Sequence, residues 1–255
     1  MKKTRAGNVT EFLEIVQSES DSITSNNCDD LLLFRGQDCG KPLLPKNARI
    51  LETERTSPVP LRFDLHTLEM RMLAEFKRRA RPMLPKEPEN DWDWLSIAQH
   101  NGMETRLLDW TENPLVALYF ALGSLYAATV LGNVVWMLRI NRDEIVVPKK
   151  NLDPFNQRKT VIFKPNMVSP RLIAQSGWFS VHKYMTTKDK FIPLENNSSY
   201  NKMLTKITVS VDNFEVRRQL SRLGINRTTL FPDLDGLCEY INFERRLDSI
   251  YTFQG

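Results

Sequence analysis

The segment AQHNGMETRLLDWTENPLVALYFA, residues 98–121, gathers side chains that can move protons or hold charge. Gln99, His100, Glu104, Arg106, Asp109 and Trp110 stand close together just ahead of a run that is apolar nearly all round. Polar groups beside such a run either pair with one another or border a cleft, because an unpaired buried charge costs several kcal/mol. One reading pairs Arg106 with Asp109 and satisfies His100 with a backbone carbonyl; the other sets all of them around a site. A second stretch, LLLFRGQDCG at 31–40, places Arg35 and Gly36 directly after apolar residues. Arginine suits planar, bidentate binding of phosphate or carboxylate, and a neighbouring glycine lets a ligand approach the backbone. Asp38 offers Arg35 a local pairing alternative.

Other chemistry-bearing residues read more plainly. The histidines, His66, His100 and His182, show no HExxH spacing, and Cys28, Cys39 and Cys238 no CxxC, so neither a zinc site nor a disulfide framework is written. Trp110 and Trp178 are candidates to stack on a base, whereas Trp92 and Trp94 read as packing residues. The basic run KRRAR at 77–81 reads as a solvated helix end, and LFPDLDG at 230–236, with Asp233 and Asp235, as a turn opening the last helix rather than a metal loop.

These side chains need a scaffold. Thr10 is expected to cap a helix through Ser18, followed by a polar loop to a strand at Leu31. Leu61, Leu65, Leu68, Met72 and Phe76 recur at helical spacing, and DWDWLSIAQH reads as a helix closed by Asn101 and Gly102. TRLLDWT reads as a strand, and NPLVALYFALGSLYAA as a buried helix with Asn113 as cap and Pro114 first. NVVWMLRI, TVIFK, LIAQSGWFSVH and KITVSVD are expected strands; NFEVRRQLSRLG is a helix with Asp212 and Glu215 at capping-box spacing. The final helix is expected to turn Leu237 and Ile241 inward. Together these predict an α+β fold, one domain with a central mixed or antiparallel sheet flanked by helices, over 31–255, preceded by an N-terminal helix and loop at 1–30.

A chain of 255 residues with 41% hydrophobic content can build one large core, and its formal charge of +4 tolerates phosphate without resembling a polybasic protein. The basic start lacks the apolar stretch of a signal peptide and no run reaches membrane-span length, so a cytoplasmic protein without membrane contact is expected.

FRGQ at 34–37, the QHNG…TRLLDWTENPLVALYFA block, RLIAQSGWF at 171–179 and LFPDLDG at 230–236 resemble, in order, the signatures of the FRG domain family. That resemblance implies a bacterial or phage protein with a role in defence or toxicity. The layout is also similar to arginine-class ADP-ribosyltransferases, in which a first-strand arginine grips NAD, a Ser/Thr strand shapes the nicotinamide pocket and a late glutamate stabilises the transition state. Arg35 matches the first element and 105–111 the second. At the third, Arg171 and Gln175 replace the carboxylate, so Asp109 or Glu104 supplies it or the reaction is not performed.

The resemblance therefore implies an ADP-ribosyltransferase-like enzyme using NAD to modify a nucleic acid or protein. The expected catalytic group is Asp109, Glu104 and His100, and the expected cofactor-binding group Arg35, Gly36, Arg106, Trp110, Arg171 and Gln175. A non-catalytic nucleotide- or RNA-binding module and, third, a nuclease holding Mg²⁺ through Asp109, Glu104 and Asp233 are the alternatives.

Overall fold

Strand residues alternate between two apolar layers, as a sheet buried on both faces requires. Phe34, Val135, Met137 and Ile207 enter one layer with Phe12, Val116, Ala117 and Leu220, while Leu31, Leu33, Val134, Trp136 and Leu138 enter the opposite one. The structure, a computed structural model, describes residues 1–26, 28–37, 40–49, 64–123, 132–149, 152–166, 169–185, 187 and 190–252. Asp38, Cys39 and Leu61 lie outside the described residues.

In chain order the elements are β1 (Lys2–Ala6), α1 (Val9–Ser25), β2 (Asp30–Gln37), α2 (46–49), α3 (Leu65–Ala80), α4 (Asp91–His100), β3 (Leu107–Thr111) and α5 (Pro114–Ala121). There follow β4 (Asn133–Asn141), β5 (Ile145–Val146), β6 (Val161–Phe163), α6 (Pro170–Ala174), β7 (Gly177–Val181), β8 (Tyr184–Met185), β9 (Lys190–Phe191), β10 (Leu204–Val209), α7 (Asn213–Arg222), α8 (Arg227–Leu230) and α9 (Leu234–Thr252). Eight strands form one mixed sheet in the order β1-β10-β4-β2-β3-β7-β6-β5, with β1–β10 and β5–β6 parallel and the other neighbours antiparallel. The architecture is a single α+β domain.

Several expectations change. The first helix is capped by Asn8, which accepts from Glu11 N at 2.8 Å, and runs to Ser25 through the segment read as a loop. RLIAQSGWFSV divides into α6 and β7, with Ser176 at φ 47 where helix turns into strand. Leu237 and Ile241 are exposed, as is Leu234, because α9 turns Gly236, Tyr240 and Phe243 inward instead. By contrast Asn113 caps α5 by accepting from Leu115 N and Val116 N, and Asp212 caps α7 by accepting from Glu215 N. The 77–81 basic run pairs with Glu75, Asp91 and Glu87.

Gly36 is where β2 and α5 touch. A Cβ on Gly36 would lie 1.9 Å from Ala117 O and 2.4 Å from Ala121 N, both backbone atoms. The residue is therefore required by the helix packed over it. Gly36→Ala is expected to lower unfolding free energy by about 3 kcal/mol, the upper part of the usual overpacking range, because α5 must move. An unchanged urea midpoint would refute that contact.

Candidate functional site

The site begins where two strands part. β2 pairs with β4 along its whole length, from Asp30↔Asn141 to Gln37↔Val134, but meets β3 at the single pair Phe34↔Thr111. Past Phe34 the two strands diverge, and a cavity of about 430 Å³ opens between them, α4, α5 and α6. Divergence frees the side chains and carbonyls that a continued ladder would have covered.

Arg35 spans the gap. Its guanidinium donates to Asp109 O at 2.7 Å and lies 3.3 Å from the Asp109 carboxylate. The arginine side chain is 14% exposed and the aspartate 54%, so the cation forms the floor and the carboxylate reaches into the opening. Burial pulls the Arg35 guanidinium below its usual value and Arg49 adds to this, while Asp109 opposes it. From the C-terminal turn of α4, Gln99 donates to both Asp109 oxygens at 3.2 and 3.3 Å and accepts from Thr105 Oγ1 at 2.7 Å. Two independent donors thus fix the orientation of Asp109.

The opposite wall comes from α6 and its neighbours. Gln175 donates to Leu230 O at 3.0 Å, and its own carbonyl accepts from Thr111 Oγ1 at 2.7 Å, tying the end of β3 to α8. Arg171 stacks on Phe231, 4.1 Å from the ring centre. Burial lowers the pKa of the Arg171 guanidinium, helped by Arg227. His100 is pushed down by burial and by Arg171, which favours the neutral imidazole. Arg35 Nε, Arg171 Nε and His100 Nε2 are buried without a hydrogen-bond partner among the described residues. The described lining holds four cations, Arg35, Lys41, Arg49 and Arg171, against one carboxylate, Asp109.

Eight of the residues singled out in the sequence line this cavity: Arg35, Gly36, Gln99, His100, Asp109, Trp110, Arg171 and Gln175. Trp110 is a core residue whose indole N–H donates to Ser180 Oγ at 3.1 Å, and Trp178 likewise donates to Glu112 from the core.

Two residues go elsewhere. Arg106 is 1% exposed and pairs with Glu69 at 2.5 Å, donates to Phe155 O and lies 4.8 Å over the Phe155 ring. The pairing of Arg106 with Asp109, and its role at a cofactor, are both replaced by this buried structural pair. Glu104 pairs with Lys46 at 3.4 Å and is not among the lining residues. Asp233 accepts from Gly236 N at 2.7 Å at the turn into α9. The three carboxylates of the nuclease reading are therefore engaged by separate partners. Lys41 and Arg49 were not predicted, since nothing in their local pattern distinguishes them from surface residues, and Phe120 was read only as part of a buried helix.

Fold and site define an α+β protein with a cation-lined cleft at a parting of its central sheet. Residues 30–128, which carry β2, Gln99, Asp109 and α5, match the model of the FRG domain. The α6–β7 and Asp233 segments lie C-terminal to the match. No curated protein and no solved structure matches the chain. Among the described residues no helix is long and apolar enough to cross a membrane.

Proposed function

We propose that the cleft binds NAD and that the protein transfers ADP-ribose, with Asp109 stabilising the positive charge that develops as the nicotinamide bond breaks. One observation carries this reading: an oriented carboxylate faces a cavity whose lining also holds four cations, Arg35, Lys41, Arg49 and Arg171. Those cations fit a pyrophosphate, because arginine N–H groups bind phosphate oxygens with charge-assisted hydrogen bonds. A volume near 430 Å³ lies within the usual range for small-molecule sites.

In this reading Arg35 and Arg171 hold the phosphates. Gln99 and Arg35 keep Asp109 in place, so no reorganisation is needed as charge develops. Neutral His100 takes the proton of the attacking acceptor. Such an activity suits the bacterial or phage defence role that the family resemblance implies.

The test is calorimetric NAD titration together with a nicotinamide-release assay. Wild type is expected to bind and release nicotinamide, and Arg35→Ala to bind about 10- to 100-fold more weakly, the loss of a hydrogen bond to a charged group. Binding without release points to the non-catalytic nucleotide module; absence of both in wild type refutes the reading.

A further inference from the structure

A second cavity, about 530 Å³, opens beside the first between the end of α5 and helices α7, α8 and α9. Phe120 lines both. The second cavity carries Arg217, Arg227 and Arg246 against one carboxylate, Glu239. Arg217 lies 4.7 Å over the Tyr119 ring and donates to Gly123 O, and its Nε is buried without a hydrogen-bond partner among the described residues. Arg227 lies 3.6 Å over Phe231 and pairs with Glu239 at 2.9 Å. Phe231 therefore carries one arginine from each cavity, Arg171 and Arg227.

We propose that this second cavity holds the acceptor of the ADP-ribosyl group, and that the acceptor is a phosphate-bearing nucleotide unit of single-stranded nucleic acid. The role as acceptor rests on the NAD reading of the first cleft; the nucleotide site stands on its own geometry. Arginines offset phosphate charge, Tyr240 and Phe120 add aromatic surface for a base, and Asn226 supplies an amide for a base edge. Their combination favours nucleotide over peptide, which lacks both the repeated phosphate and the flat base. Because Phe120 lines both cavities, an acceptor held in the second adjoins the NAD cleft at that side chain. An acceptor O–H or N–H attacks the ribose carbon, nicotinamide leaves with the electron pair of its bond, and His100 takes the acceptor proton and passes it to solvent. The products are ADP-ribosylated nucleotide, nicotinamide and one proton.

Two variants probe the cavity away from Arg35 and Asp109. Ser221→Trp fills it and Arg246→Glu reverses a wall charge. Fluorescein-labelled, 5′-phosphorylated single-stranded RNA and DNA oligonucleotides are titrated by anisotropy, NAD by calorimetry, and label transfer is followed from adenylate-labelled NAD. Both variants are expected to weaken oligonucleotide binding about tenfold or more, as losing a stacking surface or a phosphate contact does, while NAD affinity stays unchanged. Arg35→Ala is expected to show the converse. Preference for the RNA or the DNA arm identifies the source of the nucleotide. Oligonucleotide binding that is absent in wild type, or equal in wild type and Ser221→Trp, overturns the proposal. If NAD fails to bind while Ser221→Trp still abolishes oligonucleotide binding, the nucleotide site stands and its role as acceptor falls.

Discussion

Glu69→Gln is expected to lower unfolding free energy by about 3–5 kcal/mol, because it leaves the Arg106 guanidinium buried without its counter-charge. Glu69 and Arg106 are 3% and 1% exposed, so water cannot replace the lost partner. Burial pushes the Glu69 carboxyl up against the pull of Arg106 and of a hydrogen bond donated by Asn47. The carboxylate is thus kept by its neighbours rather than by solvent. Replacing both partners together, Glu69→Leu with Arg106→Met, is expected to recover most of the loss, since no charge is then stranded. Urea melts of wild type, single and double variants check this, with NAD binding as a control expected to be unchanged in the double variant. A single variant with the wild-type midpoint would refute the assignment of Arg106 as a structural cation.

Asp109→Asn is expected to do the opposite: little to stability and much to rate. Its side chain is 54% exposed, and Arg35 keeps the stronger of its two contacts, to the Asp109 carbonyl. An ion pair this open is worth up to about 1 kcal/mol, so the melt should barely move. Gln99 can still donate to the amide oxygen and hold the side chain in place. If Asp109 stabilises a cation-like transition state, kcat for nicotinamide release falls by about two to three orders of magnitude, comparable with losing one preorganised electrostatic group. A large stability loss with rate to match would make Asp109 a structural partner instead. An unchanged rate would remove it from the chemistry.

Much of the site was legible because its residues sit at element boundaries that short patterns mark. The apolar run ending at Arg35, the Asn113-Pro114 helix start and the Asn101-Gly102 stop depend on backbone sterics and capping within a few residues, which operate in any context. Misreadings arose where non-local packing decides. Arg106 and Asp109 are three residues apart, yet their partners, Glu69 and Arg35, lie at distant points in the chain. Nothing near 106 marks position 69 as its counter-charge. For α9, a helix carrying apolar residues at 234, 237, 240, 241 and 243 can bury more than one face, and contact with α7, through the Phe214–Phe243 ring pair at 5.7 Å, selects the one that includes Phe243.

By itself, the sequence determined the α+β class, the order of most strands and helices, and a short set of residues with the right chemistry near Arg35, His100 and Asp109, because hydrophobic period and capping are local. Only the tertiary structure decided that β2 leaves β3 after Phe34, since strand pairing depends on which distant segments compete for the same backbone hydrogen bonds. That single divergence brings Arg35 to Asp109 and opens the cavity that Lys41, Arg49 and Arg171 also line. Gly36 shows the two levels meeting: its identity stands in the sequence, but its reason, the backbone of α5 lying where a Cβ would be, exists only in the fold.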